Sequence, residues 1–473
     1  MGRNKKKEPL FIKNVEIIDT ANKGRSFARH DGRAIFIDKG VPGDICDIKV
    51  FKRRRKFWEA SIVKIHTLSK NRTIPKCIHF GTCGGCKWQN MKYTTQLKFK
   101  QNEVLNNLKR IGSIEIPIHQ KIIGSKEKYL YRNKMEFTFS NKRWLSSEEI
   151  ESKKEINDRS ALGFHIPGMF DKVIDLESCH LQKEPSNTIR LSIKNFADQN
   201  NLSYFDIRNK TGLLRNLMIR TSTTNELMVL VQFFEYDQKK IDLLMNYIYN
   251  SFKEITSLLY VINNKANNTI YDQKIICFKG KEYITEALDG LKFRINAKSF
   301  FQTNSEQAKV LYRKTKELAQ IKNTDIVYDL YTGTGTIAQY VSSAAKKVIG
   351  IDSVEDAIED AKKKAEINNI KNCKFYAGDM KKIFSREFIS KNKIPNIIIT
   401  DPPREGMHID VIKQILRIKP KRIVYVSCNS ATQARDVAFL NDLYHTTHIQ
   451  SIDMFPQTHH VENIMVLEKN NIA

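Results

Sequence analysis

Residues 326–338 read "IVYDLYTGTGTIA", and this stretch predicts the fold of the last third of the chain. The apolar run 326–330 is typical of a buried strand, and Gly333 and Gly335 form the turn that follows it. Glycines at this place let the backbone approach a ligand, and the N-terminus of the next helix faces that ligand. The string also fits G-x-G-x-x-A, so a dinucleotide-binding fold is a rival interpretation.

The segments that follow alternate between apolar runs and helical patterns. The runs are "KVIGID", "CKFYAGD", "PNIIITDPP" and "RIVYVSC", and an amphipathic helix is predicted before the first strand, over 305–320. Such alternation predicts a doubly wound, Rossmann-like α/β domain with a largely parallel sheet. We place this domain at residues 296–473.

Three aspartates stand at the ends of successive predicted strands. Asp352, Asp379 and Asp401 follow the second, third and fourth strands. The carboxyl ends of parallel strands meet at the crevice where such sheets bind ligands. Asp352 suits ribose hydroxyls, although an N-cap for the helix that begins near residue 354 explains it as well. Several polar strand ends on one edge are hard to explain by packing, so we expect a binding site there.

Asp401 begins the string "DPPREG" (401–406), which separates the two ligand hypotheses. Rigid prolines after an acid at the fourth strand are a feature of methyltransferases, and a dehydrogenase has no use for them. Enzymes that methylate amino groups usually have an aromatic residue after the prolines, whereas this chain has Arg404. The string therefore favours S-adenosylmethionine over a nicotinamide cofactor and disfavours amino methylation.

Cys428 stands at the tip of the fifth predicted strand, in "VYVSCNSATQARD" (424–436). A single strand cysteine is usually a core residue, but we expect this one to face the same crevice. A thiolate that adds to C6 of a pyrimidine makes C5 nucleophilic enough to take a methyl group, and a base must then remove the C5 proton. Glu462, at the start of the last predicted strand in "HHVENIMVLEK", is the best-placed carboxylate after Cys428.

The N-terminal part of the chain has a different character. Residues 8–67 consist of short alternating runs separated by turn signals such as "HDGR" and "VPGD", which predicts a small β-barrel. The chain carries 79 Lys and Arg against 52 Asp and Glu, a net charge of +27, which favours a nucleic-acid partner. In "KRRRKFW" (52–58) cations mix with aromatics, a combination that suits RNA contact or a solvated hairpin tip equally.

Residues 68–295 are predicted to be an α+β central domain that begins with a cysteine cluster. "CIHFGTCGGCKWQ" (77–89) holds three of the eight cysteines, and this spacing with one distant cysteine suits zinc or an iron–sulfur cluster equally. A helical segment at about 95–125 is a candidate to pack on the catalytic domain. The cysteines outside the cluster and the strand tip are predicted to be ordinary buried residues, and they are Cys46, Cys277 and Cys373.

Five motifs occur in an order that resembles one enzyme family. They are "SFFQTNSEQA" (299–308), "DLYTGTGT", "DPPREG", "VYVSCNSATQARD" and "HHVENIMVLEK". Together they resemble the RNA uridine-5-methyltransferases, and the resemblance runs from about residue 8 to the end. The segment 77–89, together with "SCHLQ" (178–182), resembles the iron–sulfur motif of the large-subunit rRNA branch. The N-terminal barrel resembles the TRAM domain of the family, an RNA-binding barrel of OB type.

The resemblance implies roles for individual residues. Cys428 is the implied nucleophile, and Glu462 is the implied general base. The implied ligands of a [4Fe–4S] cluster are Cys77, Cys83, Cys86 and Cys179. The residues expected to hold S-adenosylmethionine or the uracil edge are Gln302, Tyr331, Gly333, Gly335, Asp352, Asp379 and Asp401. The family often has Glu at the position of Asp352, a difference of one methylene in reach.

These observations predict an enzyme that uses S-adenosylmethionine to make 5-methyluridine in large-subunit (23S) rRNA, through a covalent bond between Cys428 and C6 of the base. The same reaction on tRNA is one alternative, and a non-catalytic RNA-binding iron–sulfur protein is another. No apolar run approaches the ~20 residues that span a membrane, and the N-terminus has no secretory h-region. We therefore expect a cytoplasmic monomer whose partner is RNA, with no obligate protein partner and no membrane contact.

Overall fold

The computed structural model describes residues 10–116, 119–152, 154–156 and 158–470. The chain forms two compact units. The first runs to Lys100 and includes Phe455–His460, and the second comprises Gln101–Met454 and the residues from Val461 on. Residues 8, 9 and 471–473, which the predicted barrel and catalytic domain include, lie outside the described part. Within that part, no helix is both long and apolar enough to cross a membrane.

The first unit contains a small β-barrel. Its strands are β1 (Leu10–Glu16), β2 (Asp19–Ala21), β3 (Arg25–His30), β4 (Arg33–Asp38), β5 (Ile45–Arg53) and β6 (Phe57–Thr67). They are hydrogen-bonded in the order β1-β5-β6-β4-β3-β2. Only two residues separate β1 from β2, and these two strands pair with β5 and β3 at opposite ends of the series. The sheet therefore closes on itself, and the predicted N-terminal barrel is confirmed.

The barrel has a core of its own, built from the alternation that the sequence shows. In β5, Cys46, Ile48 and Val50 are buried while the residues between them are half-exposed. Each such aliphatic side chain contributes roughly 1.5–3 kcal/mol when it is fully buried. Cys46 is thus a core residue, as predicted. Cys277 and Cys373 are only half-buried, so the same prediction is wrong for them.

The cysteine segment packs in the first unit, although the sequence placed it with the central domain. The Trp88 side chain is 2% exposed, and its indole N–H donates to the carbonyl of Gly24 at 3.1 Å. The backbone N–H groups of Lys87 and Trp88 both donate to the carbonyl of Gln457, at 2.9 and 3.1 Å. The long helix α1 (Tyr93–Gly112) follows and ends in the second unit.

The second unit begins with an α+β region. Its elements are β7 (His119–Ile123), β8 (Lys134–Ser140), α2 (Ser147–Glu151), β9 (Ala161–Ile166), β10 (Met169–Asp175), α3 (Ser186–Gln199), β11 (Leu214–Thr221), β12 (Leu227–Phe233), α4 (Gln238–Ser251), β13 (Ser257–Ile262), β14 (Ile276–Gly280), β15 (Tyr283–Leu288) and β16 (Leu291–Asn296). Seven strands form the central sheet, in the order β10-β9-β8-β11-β12-β13-β14, and β15 and β16 form a hairpin.

The rest of the second unit is the predicted α/β domain. Its elements are α5 (Ser305–Ala319), β17 (Ile326–Leu330), α6 (Thr336–Ser342), β18 (Lys347–Asp352), α7 (Glu355–Ile367), β19 (Cys373–Ala377), α8 (Met380–Ile383), α9 (Arg386–Asn392), β20 (Ile397–Thr400), α10 (Ile409–Ile418), β21 (Arg422–Ser427), α11 (Ser430–Ala438), β22 (Tyr444–Ile452) and β23 (Glu462–Lys469).

The eight-stranded sheet of this domain has the order β19-β18-β17-β20-β21-β23-β22-β7. The strands from β19 to β21 run parallel, and β23 is antiparallel to both of its neighbours. The chain moves outward from β17 to β19 and then returns to the other side of β17 with β20. This reversal is the place where open α/β sheets bind their ligands. Strand β7, from the segment considered for packing on the catalytic domain, pairs with β22 at the sheet edge.

Candidate active site

Cys428 and Glu462 lie opposite each other at the end of the sheet. Ser427, the last residue of β21, pairs with Asn463 of the antiparallel strand β23. In an antiparallel pair, a move of one residue forward on one strand is a move of one residue backward on the other. The same register therefore places Cys428 across from Glu462. Asp401 follows the neighbouring strand β20 directly. The sheet topology thus collects a thiol and two carboxyl groups from three distant segments.

The two carboxyl groups are held where ionisation is costly. Burial raises the pKa of Asp401 to about 7. Burial, with the nearby charge of Asp401, raises the pKa of Glu462 well above its usual range. The Tyr312 ring of α5 is buried beside both groups, and burial and their charges raise the pKa of its hydroxyl as well. Acids crowded in this way retain protons near neutral pH.

The Cys428 thiol has one cationic neighbour, Arg404. Burial, together with the charges of Glu462 and Asp401, raises the pKa of Cys428 to about 11, and a hydrogen bond and the charge of Arg404 act in the opposite direction. Cys428 is therefore a neutral thiol at pH 7. Arg404 is the group that favours the thiolate, and the sequence argument had used it only against amino methylation.

Buried Asp436 of α11 fixes the loop that carries Arg404. Its carboxylate has no exposed surface and accepts hydrogen bonds from the backbone N–H of Met407 at 2.6 Å and from the Tyr425 hydroxyl at 2.7 Å. Gly406 has a φ of +81°, and a Cβ added there would lie 2.5 Å from Asp436 Oδ2. The glycine of "DPPREG" is therefore required by the approach of this carboxylate.

The two glycines of the β17 turn have different surroundings. A Cβ on Gly333 would meet no described atom within 4 Å, whereas one on Gly335 would lie 2.8 Å from the Phe375 ring and 2.9 Å from the Ala361 side chain. Gly335 is thus required by packing, and Gly333 borders open space. The backbone N–H of Gly333 donates to Asp352 Oδ2 at 2.8 Å.

Asp352 also serves the start of α7, since its Oδ1 accepts the backbone N–H of Val354 at 2.9 Å. Asp379 is exposed and accepts the backbone N–H of Lys381 at 3.1 Å at the start of α8. Both aspartates therefore stabilise helix starts in this state. Carboxylate oxygens have further lone pairs, so these bonds leave room for a ligand donor.

Tyr331 directly follows β17, and Gln302 lies in the segment before α5. Tyr331 has a φ of +61°, and burial raises the pKa of its hydroxyl to about 12 although the backbone N–H of His408 donates to it. The charges of Asp352 and Asp379 also act on Tyr331, which places the three side chains near one another. Gln302 is half-buried, and its backbone carbonyl accepts a bond from the Asn133 amide at 2.9 Å.

Two cysteines of the predicted metal site accept backbone hydrogen bonds. The Cys77 sulfur accepts backbone N–H groups from residues 79 and 80, and the N–H of Gly85 donates to Cys83 Sγ at 3.4 Å. Such bonds are common at thiolate metal sites. Within the described part of the chain, however, no group of three or more His, Cys, Asp or Glu side chains is placed to hold a metal ion. Cys179 belongs to the second unit, whereas the other three cysteines belong to the first.

Comparisons with known proteins identify the family of the chain. Residues 268–470 match the model of the tRNA (Uracil-5-)-methyltransferase family, and residues 6–63 match the TRAM domain. An uncharacterized RNA methyltransferase of Bacteroides thetaiotaomicron is 51% identical over 451 residues, which cover 95% of this chain and 99% of that protein. The chain belongs to the RNA uracil-5-methyltransferase family. An uncharacterized RNA methyltransferase of Chlorobaculum tepidum is 37% identical. The match covers 97% of this methyltransferase and 96% of the Chlorobaculum protein.

A solved structure matches this methyltransferase along its whole length. It is the tRNA (uracil-54, C5)-methyltransferase of Pyrococcus abyssi in complex with S-adenosyl-L-homocysteine, with a TM-score of 0.74 and 29% identity. The match covers 96% of this chain and 100% of that one. S-adenosylmethionine as cofactor, RNA as substrate and the TRAM barrel are thereby confirmed.

Sequence reasoning missed two buried acids of this methyltransferase. Asp436 is described above. Asp329, at 1% exposure, accepts bonds from the Thr332 hydroxyl and the backbone N–H of Ala338 on one oxygen. Its other oxygen has no partner among the described residues, and burial raises its pKa to about 7. Asp329 begins the motif "DLYTGTGT". An acid within a predicted buried strand is the sequence signal that could have identified it.

Proposed function

We propose that this methyltransferase makes 5-methyluridine in large-subunit (23S) rRNA through a covalent bond between Cys428 and C6 of the target uridine. The observation that carries the proposal is the cross-strand placement of Cys428 opposite the buried Glu462. A nucleophile and a base are needed on the same uracil ring, and the two strand ends supply both.

The reaction begins when the Cys428 thiolate bonds to C6 and the ring electrons shift toward C5. S-adenosylmethionine, when bound, would supply the methyl group that C5 takes up, and the S–CH3 bond would break to leave S-adenosylhomocysteine. Glu462 then removes the C5 proton, the C5–C6 double bond re-forms, and the bond between sulfur and C6 breaks. Arg404 stabilises the thiolate before addition and after elimination. Asp401, with a pKa of about 7, would hydrogen-bond the uracil edge.

Glu462 must lose its own proton before it can act as the base. A cation that enters the crevice lowers the pKa of neighbouring carboxyl groups and of a neighbouring thiol. The positive charge of the bound cofactor therefore favours the ionised forms of both Glu462 and Cys428. In this scheme the two groups become reactive only when the methyl donor is present.

The cofactor itself would lie along the β17–β20 reversal. Gly333 borders open space there, and the half-buried Tyr331 and Gln302 flank it. Asp352 and Asp379 would accept hydrogen bonds from the ribose and the base, in addition to the helix starts that they already serve. Gly335 contributes through packing. The target uridine must leave its stack to reach Cys428, and the basic barrel would hold the flanking RNA.

RNA that contains 5-fluorouridine tests the mechanism. Fluorine cannot be removed from C5 as a proton, so we expect a complex of protein and RNA that survives denaturing electrophoresis. Its formation should require both S-adenosylmethionine and Cys428, and Cys428→Ser is the control. If methyl transfer to ordinary RNA proceeds but the fluorinated RNA gives no complex, the covalent mechanism is wrong.

Methylation of tRNA is the second candidate function. The tRNA enzyme of Pyrococcus abyssi matches this chain over its full length, so the overall architecture favours neither RNA class. The proposal of rRNA rests on the sequence of the cysteine segment. Mass spectrometry of 5-methyluridine, in rRNA and tRNA purified separately from a deletion strain, distinguishes the two. Loss from large-subunit rRNA supports our proposal, and loss from tRNA alone replaces it.

The [4Fe–4S] cluster is proposed on the spacing of the cysteines and on the N–H groups bonded to Cys77 and Cys83. Protein purified without oxygen should contain about four iron and four sulfide per chain if the cluster is present, and Cys83→Ser should lose them. One zinc and no sulfide would identify the alternative metal.

Calorimetric titration with S-adenosylmethionine excludes the non-catalytic alternative if the cofactor binds. The cytoplasmic location and the monomeric state stay predictions.

A further inference from the structure

A cavity of about 270 Å³ lies on one face of the central sheet in the second unit. Asn216 of β11 pairs directly with Gln232 of β12 and with Thr138 of β8, so these side chains share one face. Glu136 belongs to the next row of that face, across from Met218. The opposite face carries Phe137, against which Arg190 of α3 packs. We call this space the amide-lined cavity.

The outer wall of the amide-lined cavity is a loop that the protein holds firmly. Arg215, 1% exposed, donates hydrogen bonds to the carbonyls of Asn263, Lys265 and Asn267, at 2.5, 2.8 and 3.0 Å. It also donates to the Asn268 side chain at 3.1 Å. Burial of a guanidinium costs free energy unless its N–H groups are hydrogen-bonded, and an ordered loop is needed to supply those acceptors. The wall is therefore preformed.

Two hydrogen-bond acceptors at the amide-lined cavity have no partner among the described residues. Gln232 is 4% exposed; its amide nitrogen donates to the Asn268 carbonyl at 3.2 Å, and its Oε1 accepts nothing. The Asn216 amide nitrogen donates to the Phe137 carbonyl at 3.4 Å and to the Thr138 hydroxyl at 3.2 Å, and its Oδ1 accepts nothing. The nitrogens fix both orientations, so the unsatisfied atoms are oxygens. A buried acceptor without a donor loses free energy that a ligand can restore.

The chemistry of the cavity suits one nucleobase best. The two amide oxygens and the Glu136 carboxylate are acceptors, and Lys134, paired with Glu136 at 2.6 Å, is a donor. The Watson–Crick edge of guanine presents two adjacent donors, N1–H and the N2 amino group, beside the acceptor O6. Unpaired bases are commonly read on this edge and stacked on an aromatic ring. Tyr271, which is 65% exposed at the same cavity, offers that ring.

The amide-lined cavity is linked to the catalytic region by the chain itself. Lys298 lines it and stands four residues before Gln302. Buried Arg220 donates to the carbonyls of Asn296 and Ser299, at 3.2 and 3.1 Å, and so fixes the segment that joins the two regions. The cavity and the segment that carries Gln302 are thus joined by one ordered stretch of chain.

We propose that the amide-lined cavity binds one unpaired guanine of the substrate RNA, with the base against Asn216 and Gln232 and stacked on Tyr271. The inference rests on the proposed function, because it takes RNA uridine methylation as the activity that the guanine serves. Both oxygens are buried, so entry of the base requires small shifts of the side chains that cover them, while the amide nitrogens keep their carbonyl partners. The site selects RNA by a base that is not itself methylated.

The first test uses guanosine 5′-monophosphate as the probe, with the adenosine, cytidine and uridine monophosphates as comparisons. Saturation-transfer NMR on the full chain measures the binding of each. We expect guanosine monophosphate to bind at least about tenfold more tightly than the others, since one good bidentate base contact gives discrimination of that order. Equal binding of all four nucleotides would overturn the proposal.

Two variants place the binding at the cavity. Gln232→Met keeps the side-chain length and removes the acceptor, and Tyr271→Ala removes the ring. Each should weaken guanosine monophosphate binding about tenfold or more. Tyr236→Ala is the matched control, because that tyrosine is 69% exposed and does not line the cavity. If Gln232→Met fails to fold, Tyr271→Ala decides, and unchanged binding in that variant overturns the proposal.

Calorimetric titration with S-adenosylmethionine on the same samples separates this inference from the proposed function. Both variants should bind the cofactor as the unaltered chain does. Cofactor binding without guanine selectivity would overturn the cavity proposal alone. Guanine selectivity without cofactor binding would overturn the proposed function and leave the cavity as a nucleotide site.

Discussion

The active-site crevice and the amide-lined cavity are both polar sites in the second unit, but they are built from opposite kinds of groups. The crevice brings together side chains that can gain or lose a proton, and burial raises the pKa of Asp401 to about 7 and that of Cys428 to about 11. The cavity presents the neutral amides of Asn216 and Gln232 beside the Lys134–Glu136 ion pair and Lys298. One site holds groups whose ionisation is costly, and the other holds acceptors that lack donors.

The two sites can therefore use different properties, namely a change of charge in the crevice and hydrogen bonding in the cavity. A crowded group of acids changes its charge when a cation enters, so the crevice can be inactive until the cofactor binds. Amides carry no proton that titrates in water, so the two amides of the cavity recognise hydrogen-bond donors at any ordinary pH. Chemistry and recognition are thus separated into two neighbouring sites, and the following predictions test that separation.

The largest effect is expected from Cys428→Ala. Methyl transfer should fall to background, roughly 10⁴-fold or more, because removal of a covalent nucleophile has effects of that order. Binding of S-adenosylmethionine and of guanosine monophosphate should be unchanged. Radiolabelled methyl transfer and calorimetry measure the two properties. A variant that retains a tenth of the activity would show that the thiol is not the nucleophile.

Glu462→Gln should lower turnover by about 10²–10⁴-fold, the usual contribution of a general base. Because the C5 proton stays in place, the variant should accumulate a covalent complex on ordinary RNA, visible by denaturing electrophoresis. Glu462 also raises the pKa of Cys428, so the variant thiol should ionise at lower pH. The paired change Glu468→Gln, at the other end of β23, is the control and should form no complex.

Arg404→Gln should act on Cys428 in the opposite direction. The charge of Arg404 lowers the pKa of this thiol, so its loss reduces the thiolate fraction by about tenfold for each unit of pKa. Alkylation of Cys428 by iodoacetamide, followed by mass spectrometry of its peptide, should reach half its maximal rate near pH 11 in the unaltered protein and at higher pH in the variant. Arg404→Lys should restore part of the rate. A shift to lower pH would contradict the assigned contact.

A smaller effect is expected on stability from Asp401→Asn. The pKa of Asp401 is raised by burial, so its favourable protonated form is kept at low pH and is lost as the pH rises through about 7. Replacement by a neutral amide should therefore stabilise the protein at pH 8, by about 1–2 kcal/mol, since one pKa unit corresponds to about 1.4 kcal/mol and the group is only half-buried. At pH 4, close to the unfolded-state pKa of ~3.9, the variant and the parent should unfold nearly alike. Urea denaturation at both pH values measures this difference, and equal effects would contradict the raised pKa.

The smallest effect is the pH response of the amide-lined cavity, which should be close to zero. Binding of guanosine monophosphate is expected to be constant between pH 6 and 8, whereas alkylation of Cys428 rises about tenfold per pH unit over the same range. Saturation-transfer NMR at three pH values measures the binding. A change larger than about threefold would show that a titrating group enters the recognition step and would remove the contrast between the two sites.

The sequence predicted those parts of the crevice that depend on strand order. The alternation after residue 326 fixes a parallel sheet, and the polar residues at its strand ends must then meet at one edge. Arg404 was not predicted as the partner of Cys428, because its position depends on a loop shaped by Asp436, and no local pattern shows that contact.

The amide-lined cavity was not predicted either, since Asn216, Gln232 and Glu136 come from three strands and look like ordinary surface residues in sequence. Three of the four cysteines share a motif, but pattern alone does not show that Cys179 belongs to another unit.

The division of the chain limits how this protein can be cut or rearranged. The polypeptide passes from the first unit to the second after Lys100, returns at Phe455 and leaves again after His460. Gln457 accepts the backbone N–H groups of Lys87 and Trp88 and bonds to the Gln96 side chain at 3.0 Å. A chain shortened before residue 101 would keep the β22–β23 connection but lose the surface on which that connection packs. The first unit is thus built from two separate stretches of the chain. A gene fusion or a deletion at a single point would neither add this unit nor remove it intact.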